Sequence, residues 1–337
     1  MKMKALALAA IGLAGLVGLP QAKAETNEVR IASTFGLAQL PGRIAYQEGF
    51  IKKRAAALGI KDLKVTYQQV ASGVVVSTLL LADRADIGVG GNVPLFHLWE
   101  KTKGKIKGVM AFSQGNMVLV SCDPRIKSIK DYTANDRIAM TGIKTTTYAM
   151  ILQMQAAKAF GWDKRTKLDD ITLSMSNPDA TAAILTCRTP TKSHMTILPH
   201  STFELKTNKQ AHVVFSSKDF MGHPYTFVAA FAKTDFKAKN PTVYKAVVQG
   251  LGDAIKFIQK NPEKAVAIYT KAEPTMGKKV DLVSLIKGET ADQFSYTEAP
   301  NSTKAFIDFM NKAGMMHTPI KSWKDVWFDN VWNLPGS

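Results

Sequence analysis

The hydrophobic residues of this chain fall into short apolar runs separated by longer amphipathic stretches. Runs at residues 29–32, 63–68 and 86–89 predict three buried strands, and each is followed by a turn of small or polar residues and then by a helical stretch. Such a β-α-β-α order predicts an α/β fold in which a parallel or mixed sheet is flanked by helices. In sheets of this kind, ligands bind in the crevice beyond the carboxyl ends of the strands.

The segment at residues 71–96 shows this organisation most clearly. The turn Ala71-Ser72-Gly73 opens an apolar helix, and the strand at residues 86–89 breaks into Gly90-Gly91-Asn92, followed by Pro94 in the first turn of another predicted helix. A junction from strand to glycine turn to helix leaves backbone N–H groups unpaired, and a polar or anionic small molecule can accept them. An ordinary connection without a ligand explains the same residues, so the segment alone leaves both interpretations open.

A second unit of the same kind follows in the middle of the chain. The strand at residues 137–140 leads to Thr145-Thr146-Thr147 and to a helix at residues 149–160. Threonines at a helix start offer N-cap hydroxyls beside free N–H groups. Capping needs only one of the three, so plain capping and a shared ligand role both remain open.

The rest of the pattern predicts two lobes rather than one core. Apolar runs at residues 109–112 and 117–121 form either a hairpin or a crossing between lobes, and the run at residues 226–232 can carry the chain back to the first lobe. We expect a signal peptide at residues 1–24, the first part of lobe 1 at 25–113, lobe 2 at 114–225, and the return to lobe 1 with C-terminal helices at 226–337.

The N-terminus has the three parts of a secretory signal peptide. Lys2 and Lys4 precede an apolar run at residues 5–19, and Ala22-Lys23-Ala24 matches the small-residue pattern of a cleavage site. No cysteine lies at that site, which argues against a lipid anchor. We therefore expect a soluble protein outside the cytoplasmic membrane, most simply in a bacterial periplasm.

The chain is strongly basic, with a formal net charge of +17. Removing Lys2, Lys4 and Lys23 with the signal peptide lowers the 44 basic residues to 41, against 27 acidic ones, which leaves +14. The lysines are scattered, as in the solvated loop at residues 101–107, and do not form a patch for nucleic acid. We interpret the charge as surface solvation and as weak steering for an anionic ligand, with no nucleic acid partner.

Two cysteines, Cys122 and Cys187, are present in a chain predicted to enter an oxidising compartment. Sequence does not fix their separation, so a disulfide and two free thiols are both open. Neither cysteine has a neighbouring His or Asp pattern typical of a nucleophile or a metal site, and the six histidines lack close metal-ligand spacing. Motifs of hydrolases such as G-x-S-x-G and H-E-x-x-H are absent, and we expect no metal and no cofactor.

At this point the chain resembles a known family. The signal peptide, ASG before a helix, the strand-turn ADIGVGG, the threonine cluster and NPTVYKAVVQGLGDAIKFIQKNPEKAVAIY near the end are together similar to periplasmic substrate-binding proteins of the nitrate/sulfonate/taurine and thiamine-precursor type. These proteins serve ABC importers. The resemblance implies a type II binding protein fold with two α/β lobes, each a mixed sheet flanked by helices. Two crossing strands, near residues 112–118 and 225–231, would act as the hinge that closes on a ligand.

The resemblance also implies which turns contact the ligand. The predicted ligand-binding residues are Phe35, Gly36, Ser72, Gly73, Gly91, Asn92, Asn116, Thr145, Thr146, Tyr148, Asn177, His194 and Tyr225. For a flat heterocyclic ligand, Phe35, Tyr148, Phe220 and Tyr225 are the candidates for stacking. The chain departs from its relatives at Leu185-Thr186-Cys187-Arg188, where they usually carry Leu-x-Ser-Gly.

The function that this implies is delivery of a small polar or anionic solute, such as a sulfonate, taurine or nitrate, by a monomer to an ABC permease. The alternatives are a binder of a thiamine-precursor pyrimidine or another heterocycle, a sensor that docks to a membrane receptor, or an enzyme of the related pyrimidine-synthase branch. That branch uses a cysteine-rich motif, so two cysteines and a signal peptide argue against an enzyme. The matched turns lack an arginine, which leaves Arg43, Lys144 or Arg188 as the cations that could reach an anion.

Overall fold

The computed structural model describes residues 24–274, 280–288 and 294–336 of the chain. The predicted signal peptide, apart from Ala24, therefore lies outside the described residues. No helix within these three ranges is both long and apolar enough to cross a membrane.

Eleven strands are formed within the described residues. They are β1 Glu28–Thr34, β2 Lys64–Val70, β3 Ile87–Gly91, β4 Ile106–Gly115, β5 Val118–Ser121, β6 Arg137–Met140, β7 Thr172–Ser174, β8 Thr191–Thr196, β9 His212–Ser216, β10 Tyr225–Lys233 and β11 Ser295–Tyr296.

The strands alternate with α-helices, most of them in the first and last thirds of the chain. Those within the described residues are α1 Leu40–Gln47, α2 Phe50–Ala57, α3 Gly73–Leu81, α4 Asn92–Lys101, α5 Thr147–Phe160, α6 Asn177–Thr186, α7 His200–Thr207, α8 Lys218–Met221, α9 Thr234–Lys239, α10 Pro241–Lys260, α11 Pro262–Ala272, α12 Leu282–Ile286 and α13 Thr303–Lys312.

The strands form two mixed sheets. The first has the order β11-β4-β10-β3-β1-β2, with β1 parallel to β2 and β3 and with β10 antiparallel to β3 and β4. The second has the order β7-β6-β8-β5-β9, with β6 parallel to β7 and β8. We call the first sheet and its helices lobe 1, and the second sheet with α5 to α8 lobe 2.

The chain crosses between the sheets twice. It leaves lobe 1 at residues 116–117, between β4 and β5, and returns at residues 217–224, between β9 and β10. The first crossing lies within the predicted range, and the hairpin alternative is excluded because β4 and β5 belong to different sheets. The second crossing lies just before the predicted range, because the apolar run of β10 forms a central strand of lobe 1 that is buried almost throughout.

The two crossings are hydrogen bonded to each other. The N–H of Met117 donates to Oγ of Ser217 at 3.0 Å, and the N–H of Ser217 donates back to the carbonyl of Met117 at 2.8 Å. The same Ser217 hydroxyl donates to Oδ1 of Asn116 at 3.4 Å. All three residues are buried, so the hinge is a compact polar contact rather than a loose linker.

A disulfide joins Cys122, just after β5, to Cys187 at the end of α6, with their Cα atoms 5.9 Å apart. The bridge closes a loop across a sequence separation of 65 within lobe 2. Of the two alternatives left open by the sequence, the structure therefore shows the bridged one. Such a loop closure restricts the unfolded chain and stabilises the lobe.

Helix α10 packs very closely against α2 in lobe 1. A Cβ atom added at Gly250 would lie 2.7 Å from the backbone N and Cα atoms of Ile51. Two residues later, a Cβ at Gly252 would meet only the carboxylate end of Glu298, at 2.8 Å from Oε1. The first contact involves backbone that cannot move, whereas the second involves a flexible side chain.

We expect Gly250→Ala to lower the free energy of unfolding and Gly252→Ala to leave it unchanged or raise it. Overpacking costs about 1–3 kcal/mol, while replacing glycine by alanine inside a helix gains about 1 kcal/mol in both variants. Urea denaturation of the two variants beside the wild type measures the difference. Equal stability of the two variants would contradict the close contact between α10 and α2.

Candidate ligand site between the lobes

Three of the predicted turns lie at one edge of lobe 1. Strands β1, β2 and β3 run parallel, with Thr34 paired to Val70 and Ser33 paired to Val89, so their carboxyl ends meet. The turns Phe35-Gly36, Ser72-Gly73 and Gly91-Asn92 follow these ends directly. The structure therefore brings together the three turns that the sequence predicts for this lobe.

The first of these turns is already occupied by a protein carboxylate. Gly36 has a φ of 126°, a region that favours glycine, and its N–H donates to Oε1 of Glu273 at 2.9 Å. The neighbouring Phe35 side chain is 51% exposed. Glu273, which follows α11, was not among the predicted site residues.

The second turn supplies a helix cap. Ser72 is the N-cap residue of α3, and its hydroxyl accepts from the N–H of Val75 at 3.5 Å. Gly73 begins the helix, and a Cβ added there would meet only Pro94, at 3.9 Å. The structure thus shows the capping role of Ser72, and a ligand role for this turn stays a prediction.

The third turn makes the direct contact between the lobes. Asn92 begins α4, is fully buried, and accepts at Oδ1 from the Thr147 hydroxyl at 2.9 Å. Thr147 begins α5 in lobe 2, and its Oγ1 also accepts from the N–H of Val93 at 3.5 Å. A side chain at Gly91 would put its Cβ 2.8 Å from Oγ1 of Thr147. The starts of two helices from different lobes therefore meet at this point.

One polar atom at this contact has no partner. Nδ2 of Asn92 is buried and makes no hydrogen bond with any described residue. A buried donor left unpaired costs about 1–3 kcal/mol, so it marks a position where a ligand acceptor would be stabilising.

The three threonines at the start of α5 have different roles. Thr146 is the N-cap residue, which accepts from the N–H of Ala149 at 3.3 Å and donates to the carbonyl of Gly142 at 2.6 Å. Thr145 is exposed, and its N–H donates back to the carbonyl of Ile143 at 2.7 Å. Thr147, which the predicted set omitted, is the one that reaches the other lobe. Sequence reasoning needed only one cap and had no basis for choosing among the three.

Three other predicted residues form one group in lobe 2. Oδ1 of Asn177, at the start of α6, lies 3.3 Å from Nε2 of His194. The Tyr148 hydroxyl hydrogen bonds to Asn177 and Thr141, and burial raises the pKa of Tyr148 to about 12. The ring of Tyr148 packs edge-on against Phe227 of β10, with centroids 5.5 Å apart. This group therefore also touches lobe 1.

A buried acid holds His194. Its Nδ1 lies 2.7 Å from Oε1 of Glu204, and both side chains are fully buried. Thr181 donates to the same oxygen at 2.8 Å and lies 3.0 Å from Nδ1 of His200. Burial, and then the electrostatic effect of the neighbouring His194, lower the pKa of His200 to about 3, so His200 is neutral. The cluster is thus a buried hydrogen-bonded contact between His194 and Glu204 beside a neutral histidine.

The other predicted residues lie at the crossings. Asn116 forms part of the contact with Ser217, and Tyr225 is fully buried with its ring 5.1 Å from that of Phe306. Burial raises the pKa of Tyr225, whose hydroxyl lies next to Ser217. Phe220, in α8, is partly buried against the core. The structure places these residues in and beside the hinge, and Tyr225 begins β10, whose Val228 pairs with Gly91 of the third turn.

Of the three candidate cations, Arg43 lies beside the carboxyl end of β2, and Lys144 lies in the turn between β6 and α5. The Arg43 guanidinium donates to Oε1 of Gln69 and stacks 5.4 Å from the centroid of Tyr67. Lys144 and Arg188 are exposed. Among the described residues, no group of His, Cys, Asp and Glu is arranged to hold a metal ion.

Comparison with solved structures identifies the fold. The alkanesulfonate-binding protein SsuA from Xanthomonas axonopodis pv. citri, bound to MOPS, superposes with a TM-score of 0.66 at 15% identity, covering 90% of this chain and 99% of that one. The periplasmic aliphatic sulphonate binding protein SsuA from Escherichia coli gives 0.64 at 14% identity, with 90% and 93% covered. The periplasmic nitrate-binding protein NrtA from Synechocystis PCC 6803 gives 0.64 at 16% identity, with 90% and 84% covered.

These likenesses confirm the predicted α/β fold with two lobes of mixed sheet, and all three neighbours are binding proteins rather than enzymes. No curated protein matches the sequence. One family model, described as NMT1/THI5 like, matches residues 59–265. Since this match covers more than half of its 337 residues, the chain belongs to the NMT1/THI5 like family.

Proposed function

We propose that this protein is an extracytoplasmic binding protein that holds a small polar or anionic solute between its lobes and delivers it to an ABC importer. The observation that carries the proposal is the unpartnered Nδ2 of Asn92, buried where the starts of α4 and α5 meet. A helix start carries a partial positive charge and free N–H groups, and here two of them converge. An anion at this point would satisfy the Asn92 amide and gain from both helices.

The comparisons support a sulfonate or nitrate as the class of solute. Two of the neighbours are described as sulfonate-binding proteins and one as a nitrate-binding protein. Both kinds of anion accept hydrogen bonds in several directions, which suits N–H donors from more than one turn. His194 is held between Glu204 and Asn177 inside lobe 2, and we assign it no bond chemistry.

The predicted signal peptide and the disulfide between Cys122 and Cys187 support a periplasmic location. Neighbours described as periplasmic have the same fold. We propose a permease of the cytoplasmic membrane as the partner, because a binding protein that serves import passes its solute to a transporter.

The proposal predicts that a bound solute stabilises the protein. Native mass spectrometry of the protein purified from the periplasm should show a small molecule of defined mass. Thermal denaturation with sulfonates, nitrate and aminopyrimidines then identifies its class, since a ligand at 100 times its Kd stabilises by about 2.7 kcal/mol. Formation of a product from a solute without any partner protein would instead indicate an enzyme.

The Asn92 amide can be tested with Asn92→Asp. Aspartate keeps the shape and the acceptor for Thr147, and a carboxylate is favoured at a helix start, so lobe 1 should fold. The change removes the Nδ2 donor and adds a negative charge. Because a hydrogen bond to a charged group is worth about 1.5–3 kcal/mol, we expect the affinity for an anionic solute to fall at least tenfold.

Asn240→Asp is the matched control, measured by the same calorimetric titration. Asn240 is the N-cap residue of α10 and accepts from the N–H of Thr26, which precedes β1 and so lies at the opposite edge of the sheet. The Asn240→Asp variant should bind the solute with the same affinity as the wild type. Unchanged affinity in Asn92→Asp would rule out the contact between the helix starts as the anion site.

The hydrogen bond between Glu204 and His194 should also affect affinity. Oε1 of Glu204 lies 2.7 Å from Nδ1 of His194 and so fixes the imidazole, whose Nε2 lies 3.3 Å from Oδ1 of Asn177. In Glu204→Gln the imidazole loses this carboxylate partner, and the orientation of the Asn177 amide toward the cleft is no longer fixed. We expect affinity to fall about tenfold, the value of one hydrogen bond to a charged group.

A double-mutant cycle with Asn177→Ala distinguishes this route from general destabilisation. If Glu204 acts through Asn177, Glu204→Gln should change the affinity little when Asn177 is already alanine. Additive losses in the double variant would show that the two residues act separately.

A further inference from the structure

The turn Phe35-Gly36 of lobe 1 carries a hydrogen-bond acceptor, whereas the turn Gly91-Asn92 carries a donor. In the first of these turns, the N–H of Gly36 is taken by Oε1 of Glu273 at 2.9 Å. The other carboxylate oxygen, Oε2, accepts from the Tyr269 hydroxyl at 3.1 Å. A glutamate from beyond α11 is therefore fixed by two donors at the edge where the ligand turns meet.

Among the described residues, no salt bridge joins Glu273 to a cation. Burial raises the pKa of Glu273, and the Gly36 amide, the Tyr269 hydroxyl and the field of Arg43 offset this in part. The Arg43 guanidinium itself is engaged by Gln69 and the face of Tyr67. The turn thus presents carboxylate oxygens as acceptors.

The third turn, one strand away, presents donors instead. Strands β1 and β3 are direct neighbours, and neighbouring strands lie about 4.8 Å apart. Nδ2 of Asn92 follows β3, and the Glu273 carboxylate sits on the turn after β1. A small solute can therefore reach both, provided that it carries an acceptor group at one end and a donor group at the other. Nitrate, which has acceptors only, satisfies just one of the two.

We propose that Glu273 selects solutes that carry an amino group beside their anionic or acceptor end, the amino group pairing with Glu273 and the other end with the Asn92 site. This specificity rests on the proposed function. It narrows the solute class from simple anions to aminosulfonates or amino-substituted heterocycles, which share the same donor chemistry.

The test compares pairs of solutes that differ only in the amino group. Taurine and ethanesulfonate form one pair, and 4-aminopyrimidine and pyrimidine form the other. The two pairs show whether the preferred solute is an aliphatic sulfonate or a heterocycle. In calorimetric titrations we expect the wild-type protein to bind the amino member of at least one pair at least tenfold more tightly. In Glu273→Gln this preference should fall below about threefold, since a charge-assisted hydrogen bond becomes a neutral one.

Glutamine keeps an oxygen that can accept from Gly36, so this variant should fold, which its thermal midpoint checks. Glu263→Gln, the same change of charge at an exposed position of α11, is the control and should keep the wild-type preference.

The outcomes separate the inference from the proposed function. Equal affinity for both members of each pair, or an unchanged preference in Glu273→Gln, overturns the selection by Glu273 and leaves the binding function standing. Tight binding of nitrate with no binding of either amino compound would also overturn the selection by Glu273 and leave the binding function standing. If the wild type binds no solute of either pair, no sulfonate and no nitrate, the proposed solute class fails and this inference fails with it.

Discussion

The reciprocal hydrogen bonds between Met117 and Ser217 are the constraint on which the cleft depends. They tie the outgoing crossing to the returning one, so the two sheets are joined at a short, buried contact. Because the crossing at residues 116–117 is so short, the carboxyl edge of β3 stays close to the start of α5 in the other lobe. The meeting of Asn92 with Thr147 follows from this geometry.

Under the proposed function, the resulting site attracts anions without a dedicated cation. Its donors are a side-chain amide and the starts of two helices, whose partial charges act at short range and need no flexible side chain to be ordered. The net charge of +14 that remains without the predicted signal peptide comes largely from lysines scattered along the chain, which can speed the approach of an anion but do not fix its position. Glu273 makes the site asymmetric, because it places an acceptor beside these donors.

Local chemistry made much of this site predictable from the sequence. Apolar runs and small polar turns predicted the strand ends, and the capping roles of Ser72 and Thr146 are local contacts within a few residues. The carboxylates were not predictable in this way. Glu273 reaches a glycine 237 positions away, and Glu204 lies on a short helix whose sequence carries no pattern that marks an acid as buried.

The same limit applies to Tyr225 and Ser217. Tyr225 follows a polar turn and begins an apolar strand, which is equally typical of a ligand wall and of a hinge core, and only tertiary packing against Phe306 separates the two. The hydrogen bond of Ser217 could not be predicted from the local sequence, because its partner Met117 lies a hundred residues earlier. Contacts between distant segments are set by topology, which the local pattern does not contain.

The contact between Asn92 and Thr147 connects lobe closure with ligand binding. A side-chain amide is planar, with its oxygen and its amino group on opposite sides, so the Thr147 hydroxyl that holds Oδ1 also fixes the direction of Nδ2. The donor is therefore oriented only while the lobes touch. A solute that binds Nδ2 must favour the closed arrangement, because a ligand shifts a conformational equilibrium by its difference in affinity between the two states. Under the proposed function, closure therefore orients the donor, and the bound solute in turn favours the closed lobes.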